Sequence, residues 1–312
     1  MTLTRLIALT GGPVVLVGAA YALSFPAAHG RAAATVLRAT SHQAFPSVLA
    51  DQSCDTLASE CQRAADELAP TLPRGCRLIV HTPFILAGDL LDEELEGLYR
   101  EAVVPVTEAL WRSFYDRRPD KPVTIVALSG AGSFYSAAAS LDGYEPLDYA
   151  GYTQRGQRRI VFNLATGRGT LAHELAHVLA SFDFPDMPEW FDEGLAALHE
   201  DANFSTDRLT LIGAPNWRTR ILQEALRRSN LPALEATITS EVFRGEGEGL
   251  NYAVVRCFCH YLQHRGLISH YYRKFRGAVK DDPDGTATLC ALLGAESIDE
   301  IDRDFRAWAL SQ

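Results

Sequence analysis

The order of hydrophobic and polar positions along the chain predicts short strands between long amphipathic helices. Leu78 to Val80 is a candidate strand, and Val123 to Leu128 is apolar almost throughout, which is typical of a central strand. Between them, apolar residues recur at helical spacing from Leu91 to Phe114, which predicts a long helix kinked or interrupted at Pro105. The segment from Ser133 to Tyr149 contains turn residues, so we expect it to be irregular.

After residue 200 the pattern becomes mainly helical. The predicted helices are Trp217 to Arg228, Leu231 to Phe243, Leu250 to Arg265, Ile268 to Phe275, Thr286 to Leu293 and Ile298 to Leu310. Ahead of the first strand, Ser53 to Leu72 is predicted to be a short helix that follows a linker. Strands followed by a run of helices indicate the α+β class, with a small sheet and a mainly helical C-terminal region.

One further predicted helix carries two histidines. The sequence His173-Glu174-Leu175-Ala176-His177 lies in an apolar stretch of helical period, which Phe184-Pro185 and Met187-Pro188 end. Residues four apart on a helix point the same way, so one metal ion can contact both histidine rings. Glu174 lies about 100° around the helix from His173, off the metal but within reach of a water bound to it. That is the position of a general base.

A third ligand candidate follows on the next helix, which we predict from about Pro188 to Glu200. Catalytic zinc usually keeps three protein ligands, and two histidines with one glutamate form a standard set. His173, His177 and Glu193 are therefore predicted to bind Zn²⁺. The alternative is that the histidines are ordinary buried side chains and Glu193 is a solvated charge, which requires residue type, helical position and spacing to coincide by chance.

These two helices resemble those of the gluzincin zinc metallopeptidases, and most of all the bacterial peptidase-MA-like families. The matching segments are Leu171 to His177, with the His-Glu-x-x-His pattern, and Pro188 to Ala196, with Pro-x-Trp-aromatic-x-Glu-Gly-Leu-Ala. The resemblance implies a zincin-like catalytic domain in which the two histidines and Glu193 hold zinc and Glu174 is the base. It extends more weakly from about Arg77 to the end of the chain.

Two departures from the family pattern limit what the resemblance implies. Some gluzincins place an aspartate four residues after the ligand glutamate to hold a histidine ligand, and this chain has Ala197 there. The partner of the ligating histidines must then come from elsewhere, with Asp192, His199 and Glu200 as candidates. The Gly-x-Met-x-Asn motif of gluzincin aminopeptidases is also absent, which disfavours a dedicated aminopeptidase.

The resemblance also implies how a substrate would be held. In gluzincins the strand before the metal helix is a sheet edge that an extended peptide joins, which would give this role to Ile160 to Asn163; the alternative is an ordinary strand without a ligand. In the peptidase-MA-like pattern a tyrosine opens a later helix, and Tyr252 stands at that point. Tyr252 is the first candidate for the hydrogen-bond donor to the oxyanion, and His199 and Tyr152 are alternatives. A packing role for Tyr252 is the remaining interpretation.

The first thirty residues indicate export. Arg5 is followed by the uncharged run Leu6 to Leu23 and then by sequence rich in Ala, Pro and Gly. We favour a cleaved signal peptide over an uncleaved membrane anchor, with a buried helix as a third interpretation. The protein is therefore predicted to be periplasmic, in the cell envelope or extracellular.

Cysteines and charge are consistent with an exported protein. Three cysteines precede the histidine helix and three follow it, so complete disulfide pairing would join the two ends of the chain; free buried thiols are the alternative for at least two of them. Cys257 and Cys259 should not pair with each other, because they face different sides of a helix. With 29 basic and 39 acidic residues the formal charge is −10, which argues against nucleic-acid binding.

Four segments follow from these observations: residues 1–30, a signal peptide or anchor; 31–76, a linker and short helical segment; 77–204, the zincin-like catalytic domain; and 205–312, a helical subdomain completing the cleft.

The predicted function is an exported zinc metallopeptidase that hydrolyses peptide bonds with zinc-activated water and Glu174 as general base. The expected partner is a peptide or protein substrate, with membrane contact only through an uncleaved anchor. The alternative functions are a catalytically silent zinc-stabilised envelope or binding protein, and a structural scaffold without metal. The sequence does not determine an oligomeric state.

Overall fold

A mixed sheet forms the centre of the N-terminal part of this computed structural model, which describes residues 14–16, 52–143, 149–239, 243–245 and 247–312. The strands are β1 (Val14–Leu16), β2 (Arg77–His81), β3 (Phe84–Gly88), β4 (Val123–Leu128), β5 (Gly151–Gln154) and β6 (Arg159–Asn163), with β7 (Ala202–Phe204) and β8 (Leu211–Gly213) as a separate pair. The sheet order is β1-β5-β6-β4-β3-β2. β3, β4 and β6 run parallel, and the outer strands are added antiparallel.

Helices cover the sheet and make up the C-terminal region. They are α1 (Gln52–Leu68), α2 (Asp92–Leu98), α3 (Val104–Ser113), α4 (Ala131–Asp142), α5 (Arg168–Asp183), α6 (Glu189–Glu200), α7 (Trp217–Arg227), α8 (Leu234–Ile238), α9 (Glu248–His264), α10 (Ile268–Ala278), α11 (Thr286–Leu293) and α12 (Ile298–Ser311). The predicted α+β class, with a small sheet and a mainly helical C-terminal region, is confirmed.

The predicted helix from Leu91 to Phe114 is one helical run with an irregular centre. Asp92–Leu98 and Val104–Ser113 are joined by a π-helical turn at Tyr99–Val103. Pro105 lies just after this turn. In a regular α-helix a proline has no backbone N–H to donate, and its ring would clash with a carbonyl group of the preceding turn. The interruption expected at the proline is therefore present as a wider turn.

Two expectations about local structure were wrong. The segment after Ser133 is not irregular, because α4 occupies Ala131–Asp142; its small residues give little helical stripe, yet Phe134 and Ala138 pack on the sheet. The helix predicted from Leu231 to Phe243 is limited to α8. Residues 240–242 lie outside the described part of the chain.

The strand before α5 is internal. β6 is hydrogen-bonded to β4 on one side and to β5 on the other, so the expectation that Ile160 to Asn163 form a free edge for substrate was wrong. The residues from Gly151 to Gln154 contain few apolar side chains and gave no strand signal, but they form β5 and displace β6 from the edge. β1 pairs antiparallel with the outer side of β5.

The two faces of the sheet bury different side chains. Helices α1 and α4 cover one face, where Val126, Tyr152 and Val161 are buried. On the other face α3, α5 and the C-terminal helices surround a larger core that includes Ile125 and Phe162. Successive residues of a strand point to opposite faces, so Tyr152 and its neighbour in β5 face different cores.

A buried carboxylate fixes the end of α5. Asp183 accepts hydrogen bonds from the backbone N–H groups of Asp116 and Arg117, at 3.0 and 2.8 Å, and from the hydroxyl of Tyr272 at 3.0 Å. Arg276 adds an ion pair. Several donors compensate for taking one carboxylate out of water, so the C-terminal end of α5 is held to the loop after α3 and to α10.

The predicted export signal lies outside the described residues, apart from the backbone of β1. Among the described helices, none is both long enough and apolar enough to cross a membrane. Cys61, Cys76, Cys257, Cys259 and Cys290 are free thiols. Complete disulfide pairing is therefore not present in the described structure, and the alternative of free buried thiols describes Cys61, Cys257 and Cys259; of Cys54 only the helix backbone is described.

A buried histidine in α9 makes the stability of the fold depend on pH. His260 packs against the ring of Trp308, with ring centroids 5.3 Å apart, and burial followed by the charge of Arg256 lowers its pKa to about 4. The unfolded chain binds this proton below about pH 6.5 and the folded chain only below about pH 4. The free energy of unfolding should therefore fall as the pH drops from about 6.5 to about 4, by up to about 1.4 kcal/mol per pH unit.

Denaturant unfolding between pH 7.5 and pH 4.5 measures the slope of the free energy of unfolding against pH. His260→Gln should make the slope shallower. His264 lies near Trp308 and its charge also lowers the pKa of His260, so the matched control is instead His270→Gln, at an exposed position of α10, which should leave the slope as it is. Equal slopes in the unmodified chain and in His260→Gln would contradict the prediction.

Candidate metal site

Two neighbouring helices bring the three predicted ligands together. His173 and His177 lie one turn apart on α5, and Glu193 reaches them from α6. The two Nε2 atoms are 3.0 Å apart, and Oε2 of Glu193 lies 3.6 Å from Nε2 of His173 and 3.5 Å from Nε2 of His177. All three side chains are fully buried. The group is close enough for one metal ion to contact all three residues.

Glycines set the spacing of these helices. A Cβ on Gly194, the residue after the ligand Glu193, would lie 2.8 Å from Sγ of Cys259 and 2.9 Å from the carbonyl oxygen of Val255. A Cβ on Gly169 would lie 2.1 Å from the carbonyl oxygen of Glu200. All three distances are too short for a Cβ atom. Helix α6 can therefore approach α9 and the start of α5 this closely only with glycine at these two positions.

The charges within the group favour a cation. Burial alone would raise the pKa of Glu193, but the histidines and Arg244 hold it well below its ordinary value. Burial lowers the pKa of His177 to about 4. In His173 the hydrogen bond with Glu193 and the charges of nearby carboxylates together outweigh burial and raise the pKa. A negative carboxylate thus faces two ring nitrogens in a dry site, where either a proton or a metal ion supplies positive charge.

Asp192 is the partner of a ligating histidine. Its Oδ2 lies 2.8 Å from Nδ1 of His177 and also forms an ion pair with Arg155. A carboxylate at Nδ1 fixes the ring orientation and leaves Nε2 with its lone pair toward the metal position. Of the three candidates left open by the sequence, Asp192 is the one that contacts a histidine of the group.

The other two candidates have different partners. His199 donates its Nδ1–H to the carbonyl of Leu195 at 2.8 Å, and burial lowers its pKa to about 4. Glu200 forms an ion pair with Arg218. In the described structure neither one is hydrogen-bonded to His173, His177 or Glu193.

An arginine orients the glutamate ligand. Arg244 lies in the loop before α9 and donates to Oε1 of Glu193 at 2.5 Å and to Oε1 of Glu189 at 2.7 Å. Because Oε1 is held by the guanidinium, Oε2 is the oxygen that faces the two imidazoles. The carboxylate can then offer a single oxygen to a metal ion while its other oxygen stays paired.

Glu174 is held beside the group but is not part of it. Its Oε2 accepts a hydrogen bond from Oγ1 of Thr153 at 2.6 Å, and the side chain is fully buried. Within the described residues its Oε1 has no hydrogen-bond partner. Burial raises the pKa of Glu174 to about 8, so this carboxyl group exchanges a proton near neutral pH.

Tyr252 lies next to the glutamate ligand, whereas Tyr152 lies elsewhere. Burial, and then the charge of Glu193 and a hydrogen bond to it, raise the pKa of Tyr252 well above its ordinary value. Tyr152 donates to Oδ2 of Asp142 at 2.6 Å, in the core on the opposite face of the sheet. Tyr152 is therefore wrong as an alternative oxyanion donor. The role of Tyr252 stays a prediction.

Three site residues were missed by the sequence reasoning: Thr153, Arg155 and Arg244. Thr153 and Arg155 belong to β5 and the turn that follows it, where few side chains are apolar and the sequence has no strand signal. Arg244 comes from a glycine-rich loop more than fifty residues after Asp192, and no local signal connects them.

No family model matches this chain, and neither does any curated protein sequence. The site is therefore defined by its own geometry: a buried His173, His177 and Glu193 group that resembles a His-Glu-x-x-His metal site.

Removing the negative charge of Asp192 should weaken metal binding. Asp192→Asn keeps the shape of the side chain but leaves Arg155 without its counter-ion and weakens the hold on Nδ1 of His177. We expect the dissociation constant for Zn²⁺ to rise by about 10- to 100-fold. Competition with a chromophoric chelator measures it. Asp186→Asn makes the same change at an exposed position before α6 and is the control; equal affinities for the two variants would contradict this role.

Proposed function

We propose that this chain is a zinc-dependent metallopeptidase of the gluzincin kind, which hydrolyses peptide bonds with Glu174 as general base. One observation carries the proposal. A buried group of two histidines and a glutamate lies beside a second buried glutamate whose carboxyl group is held by Thr153 and is not one of the three ligand candidates. This combination supplies both a metal position and a base next to it.

The ligand separations support zinc. Ligands about 2.0–2.1 Å from a tetrahedral zinc ion lie about 3.3 Å from one another. The three separations within the group, 3.0, 3.5 and 3.6 Å, lie on either side of this value. Two imidazole nitrogens and one carboxylate oxygen are also a donor set that catalytic zinc uses, with a fourth position left for water.

The roles of the residues follow from their contacts. A bound zinc ion acts as a Lewis acid and lowers the pKa of water to about 7. Glu174 takes the proton from the attacking water, holds it and returns it to the leaving amine, which suits a carboxyl group whose pKa is raised to about 8. Thr153 keeps this carboxyl group in place. Asp192 and Arg244 orient a histidine ligand and the glutamate ligand.

β5 is the strand that supports peptide binding in this proposal. Thr153 connects it to the base, and the outer side of β5 already pairs antiparallel with Val14–Leu16. An extended substrate would use the same backbone groups, which gives affinity without a demand for particular side chains. Export to the cell envelope or beyond belongs to the proposal as well, and it rests on the sequence of the first thirty residues.

A second candidate is a zinc-stabilised envelope protein without catalytic activity. The observation in its favour is burial: the three ligand candidates and Glu174 are all 0% exposed. A substrate must displace whatever covers them, whereas a structural metal needs no access. The intact Glu174 favours the first candidate.

Metal analysis together with a peptide library tests the proposal. The purified chain should contain one zinc ion per chain and cleave a subset of peptides. 1,10-Phenanthroline should abolish cleavage, and added Zn²⁺ should restore it. Zinc without cleavage of any peptide would favour the second candidate, and a chain that binds no zinc would contradict both.

A further inference from the structure

A row of stacked side chains connects the candidate metal site with the surface at the start of α7. Its first member, Tyr252, is hydrogen-bonded to the ligand candidate Glu193. The guanidinium carbon of Arg218 lies 5.7 Å from the centroid of the Tyr252 ring and 4.4 Å from the centroid of the Trp217 ring. Arg218 thus bridges the two aromatic rings, and Trp217, which is 46% exposed, is the outer member of the row.

The arginine in this row is enclosed by the protein. Its side chain is only 3% exposed, and it forms an ion pair with Glu200 at the end of α6. Glu200 in turn is close enough to His173 and Glu174 to interact with both electrostatically. Because the guanidinium lies between two rings and already has a carboxylate partner, it is not available to a ligand. The row therefore presents the indole of Trp217, and not a charge, to the solvent.

The apolar surface continues beyond the indole. Ile221 follows four residues later on α7 and is 37% exposed, and residues four apart are neighbours on one side of a helix. A single exposed apolar side chain is ordinary in a soluble protein. Two adjacent ones, of which the first is joined by direct contacts to a residue of the candidate metal site, are instead typical of a surface that receives a ligand.

We propose that Trp217 binds an apolar side chain of the substrate, and an aromatic one best, next to the peptide bond that is cleaved. The inference rests on the proposed function, because it assigns a substrate preference to that same site. An aromatic side chain of the peptide stacks on the indole, and Ile221 extends the apolar contact. The backbone pairing assigned to β5 makes no demand on side chains, so Trp217 supplies the selectivity that β5 lacks.

The distances limit which substrate residue is selected. An extended peptide advances about 3.3–3.6 Å per residue. Only one guanidinium separates the Trp217 ring from Tyr252, at 4.4 and 5.7 Å from the two ring centroids. The selected side chain therefore belongs to a residue within about three positions of the cleaved bond.

Blocked heptapeptides of alanine, each with phenylalanine at one of the seven positions, test this preference in the full chain. At the selected position, phenylalanine should raise kcat/KM about 10-fold over the all-alanine peptide. Trp217→Ala should reduce this ratio to about one, and Trp217→Phe, which keeps an aromatic ring, should retain most of it. Because the ratio compares two peptides on one variant, a general loss of active protein does not change it.

Tyr135→Ala is the matched control. Tyr135 is another exposed aromatic residue, but it lies on α4, which covers the opposite face of the sheet, so this variant should keep both the ratio and the rates. A ratio in Trp217→Ala equal to that of the unmodified chain would overturn the proposal. If Trp217→Ala slows cleavage of the phenylalanine peptide and of the all-alanine peptide by the same factor, Trp217 has a packing role and the proposal is also overturned.

Binding to the Glu174→Gln variant separates this inference from the proposed function. Without any cleavage, the selected phenylalanine peptide should bind about 10-fold more tightly than the all-alanine peptide and shift tryptophan emission to shorter wavelength. Adding Trp217→Phe to this variant should remove the shift.

The two proposals can then fail separately. Binding that depends on Trp217, in a protein whose unmodified chain cleaves no peptide, would overturn the peptidase activity and leave the binding surface. Cleavage of the phenylalanine and all-alanine peptides with equal kcat/KM would overturn the binding surface and leave the activity. Neither cleavage nor binding of these peptides would overturn both.

Discussion

Glu174→Gln should lower kcat/KM for peptide hydrolysis by about 10²- to 10⁴-fold, the range that a general acid–base group contributes. Glutamine has almost the same shape and can still accept the hydrogen bond from Thr153. It cannot take a proton from water. Because Glu174 is not one of the three ligand candidates, zinc content should stay at one ion per chain.

The comparison needs kinetics and metal analysis on the same preparations. Glu296→Gln makes the same chemical change at an exposed position between α11 and α12, and it should retain full activity. If Glu174→Gln hydrolyses peptides at the same rate as the unmodified chain, another group is the base. Loss of zinc along with activity would instead place Glu174 among the ligands.

Tyr252→Phe should lower kcat by about 10²- to 10³-fold, the cost of losing one hydrogen-bond donor to the oxyanion. Tyr252 is 2% exposed and adjoins Glu193, so its hydroxyl belongs to the same buried group as the metal ligands. In this role it contributes in the transition state, and the zinc affinity of the variant should be close to that of the unmodified chain.

Tyr152→Phe separates this role from a general effect of losing a phenol. The hydroxyl of Tyr152 binds Asp142 on the other face of the sheet, so kcat should be unchanged in that variant. If Tyr252→Phe binds zinc more weakly but has normal kcat once loaded, then Tyr252 positions Glu193 and the oxyanion donor is another group.

The sequence predicted which three residues meet in the candidate metal site, because local periodicity places them. Helical spacing places His173 and His177 on one face of α5, and the next amphipathic helix brings Glu193, so no long-range information is needed. The long C-terminal helices were predicted for the same reason. Their apolar stripes, as in Ile268–Ala278 and Ile298–Ser311, are continuous over several turns.

The parts that failed depend on tertiary contacts. β3 is a run of five buried residues for which the sequence predicted no strand. β5 is a strand of only four residues, and its place between β1 and β6 comes from backbone pairing with both. Thr153, Arg155 and Arg244 reach the site only after the chain has folded, from segments with no periodic signal. The choice of Asp192 over His199 and Glu200 likewise depends on how α6 is rotated against α5.

The contact behind Gly194 has a consequence for metal selectivity. At this point α6 meets α9 with no side chain of residue 194 between them, directly after the ligand Glu193. The position of Glu193 relative to the two histidines of α5 thus depends on a contact between α6 and α9. Since proteins select among divalent ions by geometry as much as by donor type, Gly194 would contribute to the choice of ion in the proposed site although it is not one of the ligand candidates.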